Sequence, residues 1–375
     1  MSSVPIARLL LVLLLAACMS ASPLDPGMRA VEQIRGRKFL APVRNVTIDR
    51  SDLTRHLMSQ MEQSTPYSLE DWGFLLEALQ LIDVEASEAL PRLLSLYESQ
   101  VLAFYDPHSH TYYSIRQLPD LPEGVAAIAD PKMLEESVMV HELMHALQDQ
   151  HFGLAAKTKG LLHDTDASMA YHAVLEGEAV LVMVAHTLTK MGVTLDEAVK
   201  DERTLEMLTS ALLADEMIDA STPRYFVEML KFPYVEGLKF VLTAYQRGGW
   251  KELDRIHANP PRSTREILNP DEYFNRTRKP APFDARKPDG AIAVEHLGEF
   301  HWRVLVGESN ARGWVNDRVV VMKDGSVRVE TTWESPEHAA SFAAAYQKFL
   351  NETRGLEAAV THDGLTASAA YQVER

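Results

Sequence analysis

The chain reads as an α+β protein: a mostly helical first domain that carries a small sheet, then a small mixed α+β C-terminal unit. Three observations predict this. Capped stretches of helical length and periodicity recur from Ser51 to Gln246. Short alternating runs flank tight turns at Val101–Ile115 and again at Arg318–Trp333, the pattern of hairpins. A segment rich in Arg, Lys and Pro over 275–290 separates the two patterns. With 375 residues, 46% of them apolar, the chain can bury two such cores and is too apolar for general disorder. A net charge of −16 argues against a nucleic-acid partner, which needs a basic footprint.

At the N-terminus, Arg8 precedes the apolar run Leu9–Leu15. That run is shorter than the roughly 20 residues of a transmembrane helix and has the form of an export signal. Leu15-Ala16-Ala17-Cys18 resembles the lipobox of bacterial lipoproteins, in which the signal is cleaved before a cysteine that is then acylated. The expectation is a signal peptide over 1–17, a lipid anchor on Cys18 and residence in the bacterial cell envelope; Met19, in place of Asp, allows the outer membrane. Cys18 is the sole cysteine, which excludes an internal disulfide framework and any Cys-based zinc cluster. The sequons at Asn45, Asn275 and Asn351 carry no weight in a bacterial exporter.

Residues 18–30 read as a tether, 31–280 as the first domain and 281–375 as the second. Phe39–Ile48 alternates as a strand, and Asp49 or Ser51 caps a helix through Met61. Leu69–Gln80 and Ala86–Gln100 are the next helices, followed by the Val101–Ile115 hairpin around Asp106-Pro107-His108-Ser109. A connector with Pro119 and Pro122 leads to Asp130-Pro131, a cap and an N1 proline that open a helix to about Gln150. Further helices span Ala167–Lys190, Leu195–Ala214 and Pro223–Gln246, with breaks at Gly248-Gly249 and Pro260-Pro261. In the second unit, Asp324-Gly325 turns the hairpin, and a helix runs from Glu337 to Leu350.

The helix opened by Pro131 holds His141-Glu142-Leu143-Met144-His145. Residues four apart share one helical face, so two imidazoles can grip one Zn²⁺ there. Glu142 lies about 100° round the helix from His141, adjacent to the metal without being forced to ligate it, and suits a general base and then acid. A hydrolytic zinc site needs a third protein ligand and one open position. Two residues compete for that place: Glu176 in Leu175-Glu176-Gly177-Glu178-Ala179 on the next helix, and His151 just past the motif. Burying Glu176 and Glu178 on a helix dominated by Val, Leu and Met would be costly without partners, and a metal supplies one.

Glu176 resembles the downstream E-x-x-A element of gluzincin metallopeptidases, whereas His151 falls at the third histidine of the metzincin pattern. Gln148 stands where the metzincin chain needs glycine to turn back toward the metal, which favours Glu176. HELMHALQDQHF, FYDPHSHTYYS before it, LEGEA after it and the later FPYVEGLKFV…GGW…PPRSTREILNPDEYF resemble a group of uncharacterised bacterial zincin-like metallopeptidases. The resemblance implies a gluzincin-type fold in which an edge strand, here the Val101–Ile115 hairpin, binds extended peptide beside the zinc helix. It also implies a membrane-tethered zinc peptidase with His141, His145 and Glu176 as ligands and Glu142 as base. Val180 stands where many gluzincins place an acid that orients a zinc-binding histidine, leaving Asp149 and Glu178 as candidates, with Asp149 more in character as a solvated residue. Tyr171, His172, Tyr234 and Arg262 are candidate donors to an oxyanion, and His108 and His110 sit at the hairpin tip. The competing class is a cell-envelope lipoprotein that keeps zinc for structure or binding, its ion closed by a fourth ligand such as His151 or Glu178. Hydrolysis of a small amide is a third reading. Neither substrate nor oligomeric state is legible in the sequence.

Overall fold

Helices α1 (Asp25–Arg35), α2 (Arg50–Ser64), α3 (Leu69–Ala78) and α4 (Ala86–Gln100) precede the helix that carries His141 and His145, α5 (Pro131–Phe152). Then follow α6 (Leu154–Leu161), α7 (Thr165–Lys190), α8 (Leu195–Ala198), α9 (Arg224–Gly248), α10 (Trp250–Ala258), α11 (Thr264–Leu268) and α12 (Pro270–Asn275). This computed structural model describes residues 22–116, 131–200, 219, 221–276 and 282–374. The signal run and Cys18, the Pro119 and Pro122 connector, the Asp130 cap and the greater part of the Leu195–Ala214 helix lie outside the described residues.

Three short strands, β1 (Arg44–Ile48), β2 (Ala103–Asp106) and β3 (Thr111–Ile115), form a sheet in the order β1-β3-β2. β1 runs parallel to β3 and β2 antiparallel to it, so β2 is an edge strand. The C-terminal unit is built on β4 (Ala291–Glu295), β5 (Trp314–Met322), β6 (Ser326–Trp333), β7 (Ala359–Asp363) and β8 (Thr366–Gln372). They form an antiparallel sheet in the order β4-β5-β6-β8-β7, with α13 (Gly298–Val306), α14 (Glu308–Ala311) and α15 (Pro336–Lys348) completing the unit. The coarse class, mixed α+β with small sheets, is as the sequence predicts.

The frame of the first domain is the packing of α7 between α5 and α9. α7 begins at Asp164, whose side chain accepts from Ala167 N–H as an N-cap, and most of its length is buried. Two glycines let α7 and α9 touch backbone to backbone: a Cβ on Gly177 would lie 2.3 Å from the carbonyl of Gly237, and one on Gly237 would lie 2.1 Å from Ala173 O. The glycine between the two LEGEA glutamates is therefore a packing requirement. It draws Tyr234, on α9, toward Glu176, on α7.

One buried core runs through both units, joining Phe74, Val174 and Phe240 to Trp302, Trp333 and Tyr346. Polar contacts stitch the same seam. Tyr371 Oη donates to Ala78 O at 3.0 Å, and Asp166 N–H, buried near the start of α7, donates to His296 O at 2.9 Å. Burial raises the Asp166 carboxyl to about 8.

Two expectations need correction, and one helix is added. The tether over 18–30 gives way to α1 from Asp25, because Pro26 starts the helix while Leu24 and Val31 bury against the apolar face of α5. The strand expected from Phe39 is paired only over Arg44–Ile48; before it, Leu40 and Ala41 N–H donate to Gln150 Oε1 instead. Beyond the break at Gly248-Gly249 a further helix forms, α10, with Leu253 and Ile256 in the core.

Candidate metal centre

The i, i+4 spacing on α5 puts both motif imidazoles on the face that α7 covers, and α7 presents Glu176 to them. Glu176 Oε2 is 3.0 Å from His141 Nε2 and 3.3 Å from His145 Nε2, and the two nitrogens are 3.2 Å apart. Zinc bonds of 2.0–2.1 Å at tetrahedral angles set ligand atoms about 3.3 Å apart. The donor set therefore fits that ion in both chemistry and spacing, and it is the one such three-ligand group among the described residues. Burial alone would lower the His145 imidazole and raise the Glu176 carboxyl; their mutual attraction reverses both, lifting His145 to about 9 and holding Glu176 well below the usual carboxylate range.

Behind the ligands lies a buried polar chain. His145 Nδ1 is 2.9 Å from Gln148 Oε1, an acceptor, so Nδ1 carries the hydrogen and Nε2 keeps its lone pair for a metal. Gln148, fully buried, donates through Nε2 to Leu175 O at 3.1 Å and to Glu178 Oε2 at 2.8 Å. Glu178 also accepts from Arg35 Nε at 2.6 Å and lies 2.7 Å from His257 Nε2, while Arg35 Nη2 reaches Asp254 at 2.7 Å. Burial would raise the Glu178 carboxyl, but Arg35 and His257 pull it far below the ordinary range. A metal would thus account for Glu176 alone; the second acid of LEGEA is balanced by Arg35 and His257.

Glu142 is half-buried on the cleft side, where its Oε2 accepts from Tyr105 N–H of β2 at 2.8 Å. Burial raises its carboxyl above the usual range. Tyr234 stacks on His141 with ring centroids 5.9 Å apart, and its hydroxyl bonds to Glu176; burial and the nearby carboxylates raise its pKa strongly. Tyr97, in the same cleft, is raised by burial and by Glu176 to about 12. His172 Nε2 holds the other Glu176 oxygen at 3.1 Å.

Of the four candidate oxyanion donors, the structure brings Tyr234 and His172 to the centre. Tyr171 lies on the far side, 3.4 Å from His257 Nδ1, and Arg262 is paired with Glu266 at 2.6 Å. His151 points away: α5 continues straight through Gln148 to Phe152, and the imidazole contacts Lys38 O at 2.9 Å and Arg37 Nη1 at 3.2 Å. Asp149 is a correction. It is not solvated but only 5% exposed, accepting from Tyr105 Oη at 2.8 Å and Leu154 N–H at 3.0 Å, with His110 Nδ1 2.8 Å away. It ties the hairpin to α5 and does not touch the ligands. His108 borders the cleft near His172.

Residues 287–375 match a family described as a domain of unknown function, DUF8575. The match covers the C-terminal unit and none of the metal centre. No curated protein matches the chain, and no solved structure does.

Gln148, Arg35 and His257 are parts of the site that sequence reading missed. The available signal was Glu178 itself: a carboxylate on an apolar helix requires a cation from elsewhere in the chain. The centre also has a pH dependence that follows from its geometry. Without metal, His145 holds a proton below about pH 9, and zinc must displace it. Zinc affinity is expected to rise about tenfold per pH unit from 6 to 8, with about one proton released per ion. Competition against a chelating dye measures it; a flat profile would mean that the imidazole is already neutral.

Proposed function

We propose that this chain is a zinc metallopeptidase of gluzincin type, with His141, His145 and Glu176 as zinc ligands and Glu142 as general base and then acid. The observation that carries the reading is the convergence of those three ligand atoms, each 3.0–3.3 Å from the next, at the edge of a cleft with Glu142 beside them. Bound zinc would polarise the scissile carbonyl and acidify a water at the open position. Glu142, steered by Tyr105 N–H, takes the water's proton and passes it to the leaving amine. Tyr234, stacked on His141 with its hydroxyl at Glu176, is the phenol we assign to donating to the developing oxyanion.

The non-catalytic alternative needs a fourth protein ligand, and both named residues are engaged elsewhere: His151 on Lys38 O and Glu178 on Arg35 and His257. Zinc content and peptide cleavage of Glu176→Ala and His151→Ala test the ligand set. Glu176→Ala is expected to lose both and His151→Ala to keep both; the reverse pattern would refute the gluzincin reading. The lipobox supports an enzyme tethered to the cell envelope through lipid on Cys18. Metabolic labelling with palmitate should mark the natural chain and not Cys18→Ser, and equal labelling would remove the anchor.

A further inference from the structure

The β2–β3 hairpin rests on α5 through apolar packing: Ala103, Tyr105 and Tyr112 share one buried cluster with Val140, Leu143 and Ala146. Apolar contact is non-directional, so it holds the hairpin on the helix without fixing where along the helix it sits. One residue does fix it. Tyr105 N–H donates to Glu142 Oε2 at 2.8 Å, and its hydroxyl donates to Asp149 Oδ2, also at 2.8 Å. Glu142 and Asp149 are seven residues apart, close to two helical turns, so they share one face about 10 Å apart along the axis. Tyr105 spans that face, its backbone at the first acid and its phenol at the second.

Asp149 is a firm anchor for that brace. Its Oδ1 accepts from Leu154 N–H at 3.0 Å, and its Oδ2 is also 2.8 Å from His110 Nδ1. His110 ends the hairpin turn at φ 51°, a left-handed conformation that a residue with a Cβ rarely keeps unless its surroundings hold it. Burial and Asp149 both raise the Tyr105 phenol, so it keeps the proton it donates. None of these contacts involves His141, His145 or Glu176. We propose that Tyr105 and Asp149 are positioning residues for the general base: the phenol–carboxylate bond sets the height of β2 on α5, and Tyr105 N–H then aims the Glu142 carboxylate at the water it deprotonates. This rests on the metallopeptidase reading. A half-buried glutamate turns freely about its side-chain bonds unless something holds its head, and a misplacement of about 1 Å at a reacting group costs about 10²-fold in rate. Without the phenol's hold β2 can slide along α5. Glu142 then loses its aim while the three ligand side chains, carried by α5 and α7, stay in place.

Tyr105→Phe removes one hydroxyl and leaves the backbone N–H. The zinc-loaded variant should keep its metal content and KM and lose about tenfold in kcat for peptide hydrolysis. Acetohydroxamate supplies a readout that needs no turnover: it chelates zinc as its anion, and the proton leaving its hydroxyl passes to Glu142. Its affinity, measured by calorimetry, should also fall about tenfold in Tyr105→Phe. In the Glu142→Gln background, which cannot take that proton, Tyr105→Phe should change neither quantity. Asp149→Ala should reproduce both losses, and adding Tyr105→Phe to it should cost nothing more. Unchanged kcat and hydroxamate affinity beside a lowered melting temperature would make the phenol a fold contact and overturn the inference. Equal losses with and without Glu142, or losses at Tyr105 and Asp149 that add, overturn it as well, and leave the peptidase reading standing. If the natural chain cleaves no peptide, the peptidase reading falls. A Glu142-dependent loss of hydroxamate affinity then keeps the positioning role, and its absence removes both.

Discussion

Glu142→Gln is expected to bind zinc as tightly as the natural chain while hydrolysing peptides about 10²–10⁴-fold more slowly, the usual contribution of a general base. The substitution is nearly isosteric, and the amide oxygen can still accept from Tyr105 N–H, which now meets Glu142 Oε2 at 2.8 Å. What it removes is the ability to take and return a proton. The ligand atoms of His141, His145 and Glu176 are untouched, so metal content should separate the chemical role from a structural one. Because desolvation raises the half-buried Glu142 carboxyl, replacing it with a neutral group should also leave the fold at least as stable at neutral pH. Metal analysis, kcat/KM and a thermal melt on the same preparation check all three. Activity within tenfold of the natural chain would mean that another group serves as base, and loss of zinc would mean that Glu142 belongs to the metal's support.

The centre was legible where its geometry is local. The helical period fixes His141 and His145 on one face whatever surrounds them, and Glu176 lies on the next long helix of the same domain. What supports them is not local. Arg35 comes from the end of α1, a helix whose first half falls in the stretch that reads as a tether, and His257 comes from a helix hidden behind two glycines. Neither carries a pattern that names its partner 143 or 79 residues away. Asp149 looked like a solvated residue near a helix end because nothing in the sequence places the hairpin over it. In the C-terminal unit the β5–β6 hairpin is rich in Val and Thr and announces itself, whereas β8 is Thr-Ala-Ser-Ala-Ala-Tyr-Gln. Such a run has little strand propensity of its own and owes its state to pairing with β6 along its whole length.

Glu178→Ala should be the most damaging change outside the ligands: a loss of about 3–5 kcal/mol in stability near neutral pH, the cost of breaking a buried ion pair from one side. Arg35 has a side chain only 1% exposed and would keep its charge, with Asp254 as the remaining counter-ion. The pH dependence has a definite sign. Glu178 is depressed when folded, so its contribution is complete above the ordinary carboxylate range and is lost as pH falls through and below it. The stability gap between the natural chain and Glu178→Ala should therefore narrow in acid. Zinc affinity should also fall, by about 10–100-fold, since Gln148 loses one of its two anchors and His145 with it loses its fixed tautomer and direction. Replacing both charges, Arg35→Leu with Glu178→Leu, separates these effects. Removing a buried pair together can be close to neutral for stability, so the melt should largely recover. The zinc deficit should persist, because leucine cannot hold Gln148. If the double variant regains affinity along with stability, Glu178 acts on the centre only through the fold, and the chain from Arg35 to His145 has no positioning role.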